Sequence, residues 1–189
     1  FIFNCLTSIS NFINKGDKVA ANHYLGTFAK LVRATLNHSR AGTVTLEDEL
    51  QLLENYLKME QLRFEDQFDY HIELGEGVEP FEIGIPPMMV QPFVENAIIH
   101  GLSKKEEKGE VKLLFQLEEE HLQVSITDNG VGIEQSRRLQ KHGQPLHKSV
   151  GMTITKKRLE LLSGQGQHGR VETEELKDEH GEVLGTRVV

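Results

Sequence analysis

Asp128 is a carboxylate at a position where the surrounding pattern predicts a core side chain. In LQVSITD (122–128), Leu122, Val124 and Ile126 alternate with polar residues as in a half-buried strand, and Asp128 continues the apolar phase. A carboxylate in that place needs hydrogen-bond donors. Asp-Asn-Gly is also a strong turn sequence, so Asp128 either closes an Asx turn or accepts a hydrogen bond from the amino group of a ligand.

Two glycines follow Asp128 directly, in the stretch DNGVG (128–132). Gly130 and Gly132 would let the backbone approach such a ligand closely, although glycines in this pattern are more often plain turn residues. The sequence contains neither a G-x-x-x-x-G-K-[ST] loop nor a G-x-G-x-x-G loop that opens a helix after a strand. A nucleotide-binding site in this protein would therefore have to be formed by other sequence motifs.

The apolar run QPFVENAIIHG (91–101) carries Glu95 and Asn96 side by side, with His100 one turn later. At about 100° per residue, an ideal helix places Asn96 and His100 on one flank and Gln91 and Glu95 on the other. Asn96 borders the apolar face, where its oxygen could ligate Mg²⁺, while Glu95 could orient a water or pair with a basic group. Alternatively these are solvated flank residues and His100 caps the helix end. The core stripe predicted by the same wheel consists of Val90, Phe93, Val94, Ala97 and Ile98.

The stretch SVGMTITKKRLELLSG (149–164) predicts a helix that opens at a glycine. Free N–H groups at a helix start attract phosphate, and Lys156, Lys157 and Arg158 lie close by in the sequence. The alternative is an ordinary amphipathic helix with Met152 and the later apolar residues facing inward. Taken alone, the stretch does not choose between a phosphate site and a packing helix.

Two helices at the start of the chain are predicted to form an antiparallel hairpin. Apolar residues recur at helical spacing through 2–13 and again through 21–36, and NKGDK (14–18) interrupts them. Stripes this wide exceed what two helices can bury on each other, so the hairpin is expected to dimerise into a four-helix bundle. SRAGTVT (39–45) then reads as a hinge, which separates a hairpin domain at 1–42 from a second domain at 43–189.

The second domain is predicted to combine helices with a mixed, largely antiparallel sheet. Thr45 with acidic residues in the next turn predicts the start of a helix. Alternating patterns predict strands at 68–74, 111–117, 122–128, 170–176 and 182–189. With helices at 91–101 and 151–163 covering one face, the fold class is α+β with an α/β sandwich. The segment 134–149 has no periodicity and is predicted to be a mobile loop over the site.

Composition and charge narrow the class of function. The chain has 189 residues, with 38% hydrophobic and 26% charged, as in an ordinary globular protein. The formal charge of −8 argues against a nucleic-acid partner. The single cysteine, Cys5, excludes an internal disulfide and is expected to be a small buried residue. No apolar run approaches the length of a membrane span, so we expect a cytoplasmic segment of a longer protein, whose last strand is truncated here.

The order of the motifs is more informative than any one of them. An Asn in a helix, D-x-G-x-G after a strand, a Gly-led helix and G-T in a final strand resemble the Bergerat ATP-binding fold. The whole chain resembles the catalytic part of LytS/YehU-type sensor histidine kinases, within the superfamily of gyrase B, heat-shock chaperone, histidine kinase and MutL ATPases. The matching stretches are FIFNCLTSI (phosphoacceptor box), LEDELQLLENYLKMEQLRF (linker helix), PPMMVQPFVENAIIHG (N box), DNGVGI (G1) and SVGMTITKKRLELL (G2).

The resemblance implies ATP and Mg²⁺ as the cofactors. It implies that Asn96 ligates Mg²⁺ bridging the ATP phosphates, that Glu95 takes part in catalysis and that Asp128 accepts from the adenine amino group. The stretch 133–149 would be the ATP lid. The other residues that the resemblance places at the nucleotide are His100, Gly130, Gly132, Gly151, Met152 and Thr186.

Three departures from the family pattern bear on activity. The acceptor histidine is expected one residue before Phe1, and none of the nine histidines present replaces it by position. Pro92 stands where the superfamily has an acidic or amide residue, which leaves Glu95 or Gln91 to orient the nucleophile. In G2, Ser149 replaces the usual first Gly, and Ile154 stands where the family often has Asn.

The resemblance implies phosphoryl transfer from ATP to a histidine, mostly by positioning and charge neutralisation. The expected partners are a second copy of the chain and the receiver domain of a response regulator, and a membrane is reached only through upstream segments. The alternative is a non-catalytic nucleotide-sensing dimer, in which ATP sets only the conformation. A gyrase-like ATPase clamp is disfavoured, because such proteins carry the catalytic carboxylate at the position of Pro92.

Overall fold

The computed structural model describes residues 2–38, 41–105, 107–119, 121–140, 155, 157–159 and 170–189. The chain divides into two compact units, Phe1–Asp66 with Pro80–Met88 and Gln67–Glu79 with Met89–Val189. The sequence placed a boundary at 42–43, whereas here the helix that follows Thr45 groups with the first unit. The assignment of domains to 1–42 and 43–189 stays a prediction.

The first unit opens with the predicted helical hairpin. Helix α1 (Ile2–Asn14) and helix α2 (Lys18–His38) are joined at Gly16, whose φ of +77° lies in the left-handed region. The rings of Phe12 and Tyr24 pack at 5.6 Å between centroids. Cys5 is fully buried, as the sequence predicted.

Much of the apolar surface of the hairpin is uncovered within one chain. Leu6 and Ile13 of α1 are 49% and 61% exposed, and Leu25 and Leu36 of α2 are 48% and 61% exposed. Tyr24, by contrast, is completely buried. The two helices therefore bury only part of their apolar stripes against the rest of their own unit.

Helix α3 (Leu46–Arg63) begins at the predicted N-cap. The hydroxyl of Thr45 accepts the backbone N–H of Asp48 at 3.1 Å, and the Asp48 carboxylate accepts the backbone N–H of Thr45 at 3.3 Å. This reciprocal pair is a capping box. A two-stranded antiparallel ladder that the sequence did not predict, β1 (Val44–Thr45) with β3 (Gly84–Ile85), holds the start of the helix.

Two carboxylates of α3 are buried and partnered inside the first unit. Glu49 is fully buried, and its Oε2 accepts the backbone N–H of Met88 at 2.9 Å. Glu60 forms an ion pair with Arg63, whose guanidinium lies 4.3 Å over the ring of Phe64. Charges buried in this way need their partners, so removal of one partner is expensive.

The second unit contains a five-stranded sheet. Its strands are β2 (Phe68–Leu74), β4 (Gly109–Glu118), β5 (His121–Asp128), β6 (Thr173–Lys177) and β7 (Val183–Val188). They lie in the order β2-β4-β5-β7-β6, in which the β2–β4 pair is parallel and the other three pairs are antiparallel. The predicted α+β class with a mixed, largely antiparallel sheet is therefore confirmed.

The predicted helix at 91–101 is present but is not uniform. Helix α4 (Gln91–Asn96) runs into a π-helical turn (Ala97–Gly101) and then a short 3₁₀ turn (Leu102–Lys104). The predicted core stripe is confirmed, since all five of its residues are at most 6% exposed. The sheet contributes its own buried residues to the unit, among them Val111, Leu113, Phe115 and Ile126.

The segment predicted to be a mobile loop begins instead as a helix, α5 (Ile133–Gln140). That part of the prediction is wrong, and residues 141–149 lie outside the described ranges. Of the predicted helix at 151–163, the described residues 155 and 157–159 are helical. Within the described ranges, no helix is both long enough and apolar enough to cross a membrane.

Candidate functional site

Asp128 lies at the end of β5 and is 5% exposed. Its Oδ1 accepts the backbone N–H of Gly130 at 2.9 Å, which closes the Asx turn. The backbone N–H of Thr186, the residue opposite on β7, also donates to the carboxylate. A carboxylate offers about four acceptor positions, so two donors leave it able to accept from a ligand as well. The Asx turn and a ligand acceptor are therefore compatible.

Burial raises the pKa of Asp128 to about 6. The hydrogen bonds from Gly130 and Thr186 favour the charged form and offset part of this effect. At neutral pH the carboxylate is still mostly ionised, which makes it a strong acceptor. A buried acceptor of this kind discriminates sharply between ligands that present a donor and ligands that present an acceptor.

The turn after Asp128 rests directly on the end of the π-helical turn. The backbone N–H of Val131 donates to the carbonyl of Gly101 at 3.2 Å. A Cβ at Gly130 would lie 2.4 Å from the carbonyl carbon of Gly101, and a Cβ at Gly101 would lie 2.7 Å from Asp128 Oδ1. Both glycines are needed for this approach, which brings together two motifs that are far apart in the sequence.

The segment after Asn96 winds as a π-helical turn. The backbone N–H of Leu102 donates to the carbonyl of Ala97, five residues back. Asn96 and His100 are both half-buried, and their placement on one flank of the helix stays a prediction.

His100 is half-buried within the π-helical turn. Burial lowers its pKa below the ordinary value, and the nearby charge of Lys104 lowers it further, so the imidazole is neutral at physiological pH. Helical structure continues through Gly101 to Lys104, so His100 is not a C-terminal cap. Its assignment to the nucleotide stays a prediction.

The polar residues of α4 differ in burial. Glu95 and Asn96 are half-buried, and Asn96 makes no side-chain capping bond to the turn that it precedes. Gln91, predicted on the same flank as Glu95, is 5% exposed, and its Oε1 has no hydrogen-bond partner among the described residues. Pro92 occupies the first turn of the helix, where a missing N–H costs nothing.

The residues present fit a magnesium ion that arrives on a polyphosphate. The described ranges contain no group of three or more His, Cys, Asp or Glu that could hold a metal ion by itself. Mg²⁺ typically takes one or two protein oxygens, with substrate phosphates and waters filling its octahedron. The carboxamide of Asn96 could supply one such oxygen without a protein cage.

The remaining predicted residues divide into two groups. Thr186 is 8% exposed and pairs with Asp128 across the β5–β7 ladder. Gly132 has a φ of +77° and leads into α5. The other two, Gly151 and Met152, lie outside the described residues.

Three residues at the site were missed from the sequence. Lys104 Nζ donates to the backbone oxygen of Ser136 at 3.2 Å, and Asn129 Oδ1 accepts the backbone N–H of Glu110 at 2.8 Å. Glu175 accepts backbone N–H groups at the start of α5. Asn129 could have been found from its place in Asp-Asn-Gly, but the other two act across pairings that no local pattern reveals.

Comparison with known families matches both parts of the chain. The family described as "Histidine kinase" matches residues 1–68, and the family described as "Histidine kinase-, DNA gyrase B-, and HSP90-like ATPase" matches residues 86–189. The sensor protein LytS of Staphylococcus epidermidis is 31% identical over 133 residues, 70% of this chain and 22% of that protein. The sensor protein kinase HptS of Staphylococcus aureus is 33% identical over 150 residues, 79% of this chain and 28% of that protein. The chain thus spans roughly a quarter of the length of these relatives.

Solved structures share the fold at low sequence identity. The catalytic domain of histidine kinase ThkA superposes with a TM-score of 0.52 at 16% identity, covering 77% of this chain and 92% of that one. A bacterial phosphotransferase gives a TM-score of 0.51 at 13% identity, covering 100% of this chain and 87% of that one. At such identities the likeness concerns the fold alone.

Proposed function

Because this chain belongs to the sensor histidine kinase family and carries its ATPase domain, we propose that it binds Mg-ATP and transfers the γ-phosphoryl group to a histidine. A response-regulator aspartate would then receive the phosphoryl group. The single observation that carries the proposal is the packing of the Asp128 turn against the helical segment that bears Asn96. This packing supports a site in which Asp128 accepts from the base and Asn96 lies at the phosphates.

Asp128 is proposed to recognise the adenine ring. Its carboxylate is fixed by the Gly130 and Thr186 N–H groups and would accept a hydrogen bond from the adenine amino group. Guanine carries a carbonyl oxygen at the equivalent position, and two facing acceptors repel each other. Gly130 and Gly132 have no side chains that would fill the space beside the base. The arrangement therefore favours ATP over GTP.

Asn96 is proposed to lie at the phosphates. Its oxygen would complete the coordination of Mg²⁺, which, when bound, neutralises charge on the phosphoryl group being transferred. Glu95 adjoins it and is half-buried, so it is our candidate for orienting the nucleophilic nitrogen. Gly151 and Met152 complete the proposed site at the phosphate side.

A second copy of the chain is proposed to cover the exposed stripes of the hairpin. Leu6, Ile13, Leu25 and Leu36 are all at least 48% exposed within one chain. Four helices packed together would bury these side chains. We further propose a response-regulator receiver domain as the second partner, and a cytoplasmic position for this part of a membrane sensor.

Calorimetry tests the nucleotide site. The chain should bind Mg-ATP, and Asn96→Ala should weaken binding of Mg-ATP while leaving the affinity for ATP in EDTA unchanged. Asn22→Ala, an exposed asparagine of α2, is the matched control and should behave like the wild type. Equal loss with and without magnesium would contradict the role given to Asn96.

Phosphotransfer tests the reaction itself. A chain extended upstream to include the expected histidine should form an acid-labile phosphoprotein from labelled Mg-ATP. That histidine changed to Gln should abolish the label. No labelled protein from an ATP-binding chain would refute the kinase activity.

The alternative, a nucleotide-sensing dimer without catalysis, has one observation in its favour. Pro92 offers no acceptor one turn before Asn96, and Gln91 is turned into the interior. This leaves Glu95 alone among these residues to orient a nucleophile. Tight ATP binding with no phosphoprotein in the extended chain would select this alternative.

A further inference from the structure

Helix α5 is capped by a side chain from a distant strand. Oε1 of Glu175, in β6, accepts the backbone N–H of Ile133 at 2.9 Å and that of Glu134 at 3.2 Å. Free N–H groups at a helix start are usually satisfied by the residue just before the helix, commonly Ser, Thr, Asp or Asn. Here that residue is Gly132, which has no side chain to offer. Glu175 therefore supplies the missing cap from elsewhere in the fold.

Gly132 leaves room for this carboxylate. A Cβ at Gly132 would lie 2.7 Å from Glu175 Oε1 and 2.5 Å from Val183 Cγ1. The backbone there also has a φ of +77°, which L side chains rarely adopt. A glycine is therefore needed at this position because a side chain would displace the Glu175 carboxylate, in addition to any contact with a ligand.

The strand pairing places Glu175 in line with Asp128, the proposed acceptor for the adenine base. Glu175 pairs with Thr186 across β6 and β7, and Thr186 pairs with Asp128 across β7 and β5. Residues paired in this way lie on one face of the sheet. The side chain of Glu175 is 14% exposed, and Lys177 Nζ lies 3.4 Å from its Oε2. The carboxylate is therefore held as a charged group beside the site.

The turn from Asp128 to Gly132 is fastened at both ends. Asp128 holds Gly130 at one end, and Glu175 holds the start of α5 at the other. Lys104, which donates to Ser136, adds a further attachment one turn along α5. Loss of the hydrogen bonds to Glu175 would let the turn move away from Gly101. The turn is hydrogen-bonded to Gly101 only through the backbone N–H of Val131, at 3.2 Å, among the described residues.

We propose that Glu175 is a positioning residue of the nucleotide site, which fixes the turn that presents Gly130 and Gly132 to the base. The inference rests on the function proposed above. Glu175 touches no reacting atom, and it acts through the backbone of Ile133 and Glu134.

The test compares Glu175→Ala with Glu175→Gln in the full chain. Gln retains an acceptor oxygen for the two N–H groups, whereas Ala retains none. Glu174→Ala is the matched control, because the neighbouring residue points to the opposite face of the same strand and lies 3.5 Å from Arg187. Hydrogen exchange at the amides of Ile133 and Glu134 is measured without nucleotide, and Mg-ATP affinity is measured by calorimetry.

Glu175→Ala should speed exchange at both amides and weaken ATP binding by about fivefold, the typical effect of losing one helix cap. Glu175→Gln should stay within about twofold of the wild type, since the acceptor oxygen is what matters. The proposal would be overturned if Glu175→Ala left the ATP affinity unchanged. It would also be overturned if Glu175→Gln and Glu174→Ala lost as much ATP affinity as Glu175→Ala. If Glu175→Ala fails to fold, Glu175→Asp, one methylene shorter, replaces it with the same expected direction.

A failure of the proposed function would give a different experimental result from a failure of the role proposed for Glu175. A wild-type chain that binds no ATP would refute the nucleotide site, and with it the role of Glu175 in nucleotide binding. The exchange measurement without nucleotide would still show whether Glu175 caps α5.

Discussion

Replacement of Asp128 by Asn should stabilise the free protein while removing its base acceptor. The carboxylate is 5% exposed, and burial raises its pKa from the ordinary 3.8 to about 6. The difference is about two pH units, each worth about 1.4 kcal/mol, so ionised Asp128 costs the folded state about 3 kcal/mol at neutral pH. The carboxamide of the Asp128→Asn variant carries no charge and avoids this cost, at the loss of about one hydrogen bond worth roughly 1 kcal/mol.

The sign of the effect fixes its pH dependence. Because the folded pKa lies above the unfolded one, the stability contributed by Asp128 is fully present below pH 3.8 and is lost as the pH rises through about 6. The stability difference between Asp128→Asn and wild type should therefore grow by about 2 to 3 kcal/mol in favour of the variant between pH 4 and pH 7. Other ionisable groups are shared by both proteins, so they cancel in this difference.

Urea denaturation of both proteins at several pH values measures this difference. Asp69→Asn is the matched control, since Asp69 is half-exposed and pairs with Lys108 at the surface. Its difference from wild type should vary by less than about 1 kcal/mol over the same range. A flat difference for Asp128→Asn between pH 4 and pH 7 would refute the claim that burial of an ionised carboxylate destabilises this site. Calorimetry on the same variant should show ATP binding lost.

Two further substitutions test the packing of each unit. Gly130→Ala should abolish nucleotide binding with the fold retained, because its Cβ would lie 2.4 Å from backbone and the turn must move away; calorimetry and circular dichroism check this. Arg63→Met should destabilise the first unit by about 3 kcal/mol in urea, since it removes the guanidinium partner of the buried Glu60. Lys58→Met, whose pair with Glu54 is half-exposed, should cost less than about 1 kcal/mol and is the control. A loss in Lys58→Met equal to that in Arg63→Met would contradict the reasoning.

Local pattern was enough to predict the elements whose causes are local. The capping box at Thr45 fixed the start of α3, and the alternation through 122–128 placed Asp128 in the buried phase. The Asx turn followed from Asp-Asn-Gly. For the capping box and the Asx turn, the hydrogen-bond partner lies within three residues, so the sequence window contains the whole interaction.

Elements stabilised from a distance could not be predicted in this way. Helix α5 has a polar sequence, and its cap comes from Glu175, 42 residues away from Ile133. The π-helical turn ends at Gly101, which packs against Gly130, and no local pattern predicts that contact. The helical wheel assumed uniform winding and therefore did not predict the π-helical turn.

The π-helical turn also makes the length of this segment a constraint. A five-residue turn equals one residue inserted into an α-helix, so deletion of Ile99 would restore regular winding. The residues after the deletion would rotate by about 100° around the helix axis. Either the apolar residues would then lose their core contacts, or Gly101 would lose its contact with Gly130. Substitutions in this segment can be absorbed one at a time, but a change of one residue in its length cannot. Among related chains, we therefore expect insertions and deletions to fall outside 93–101, whatever their sequences.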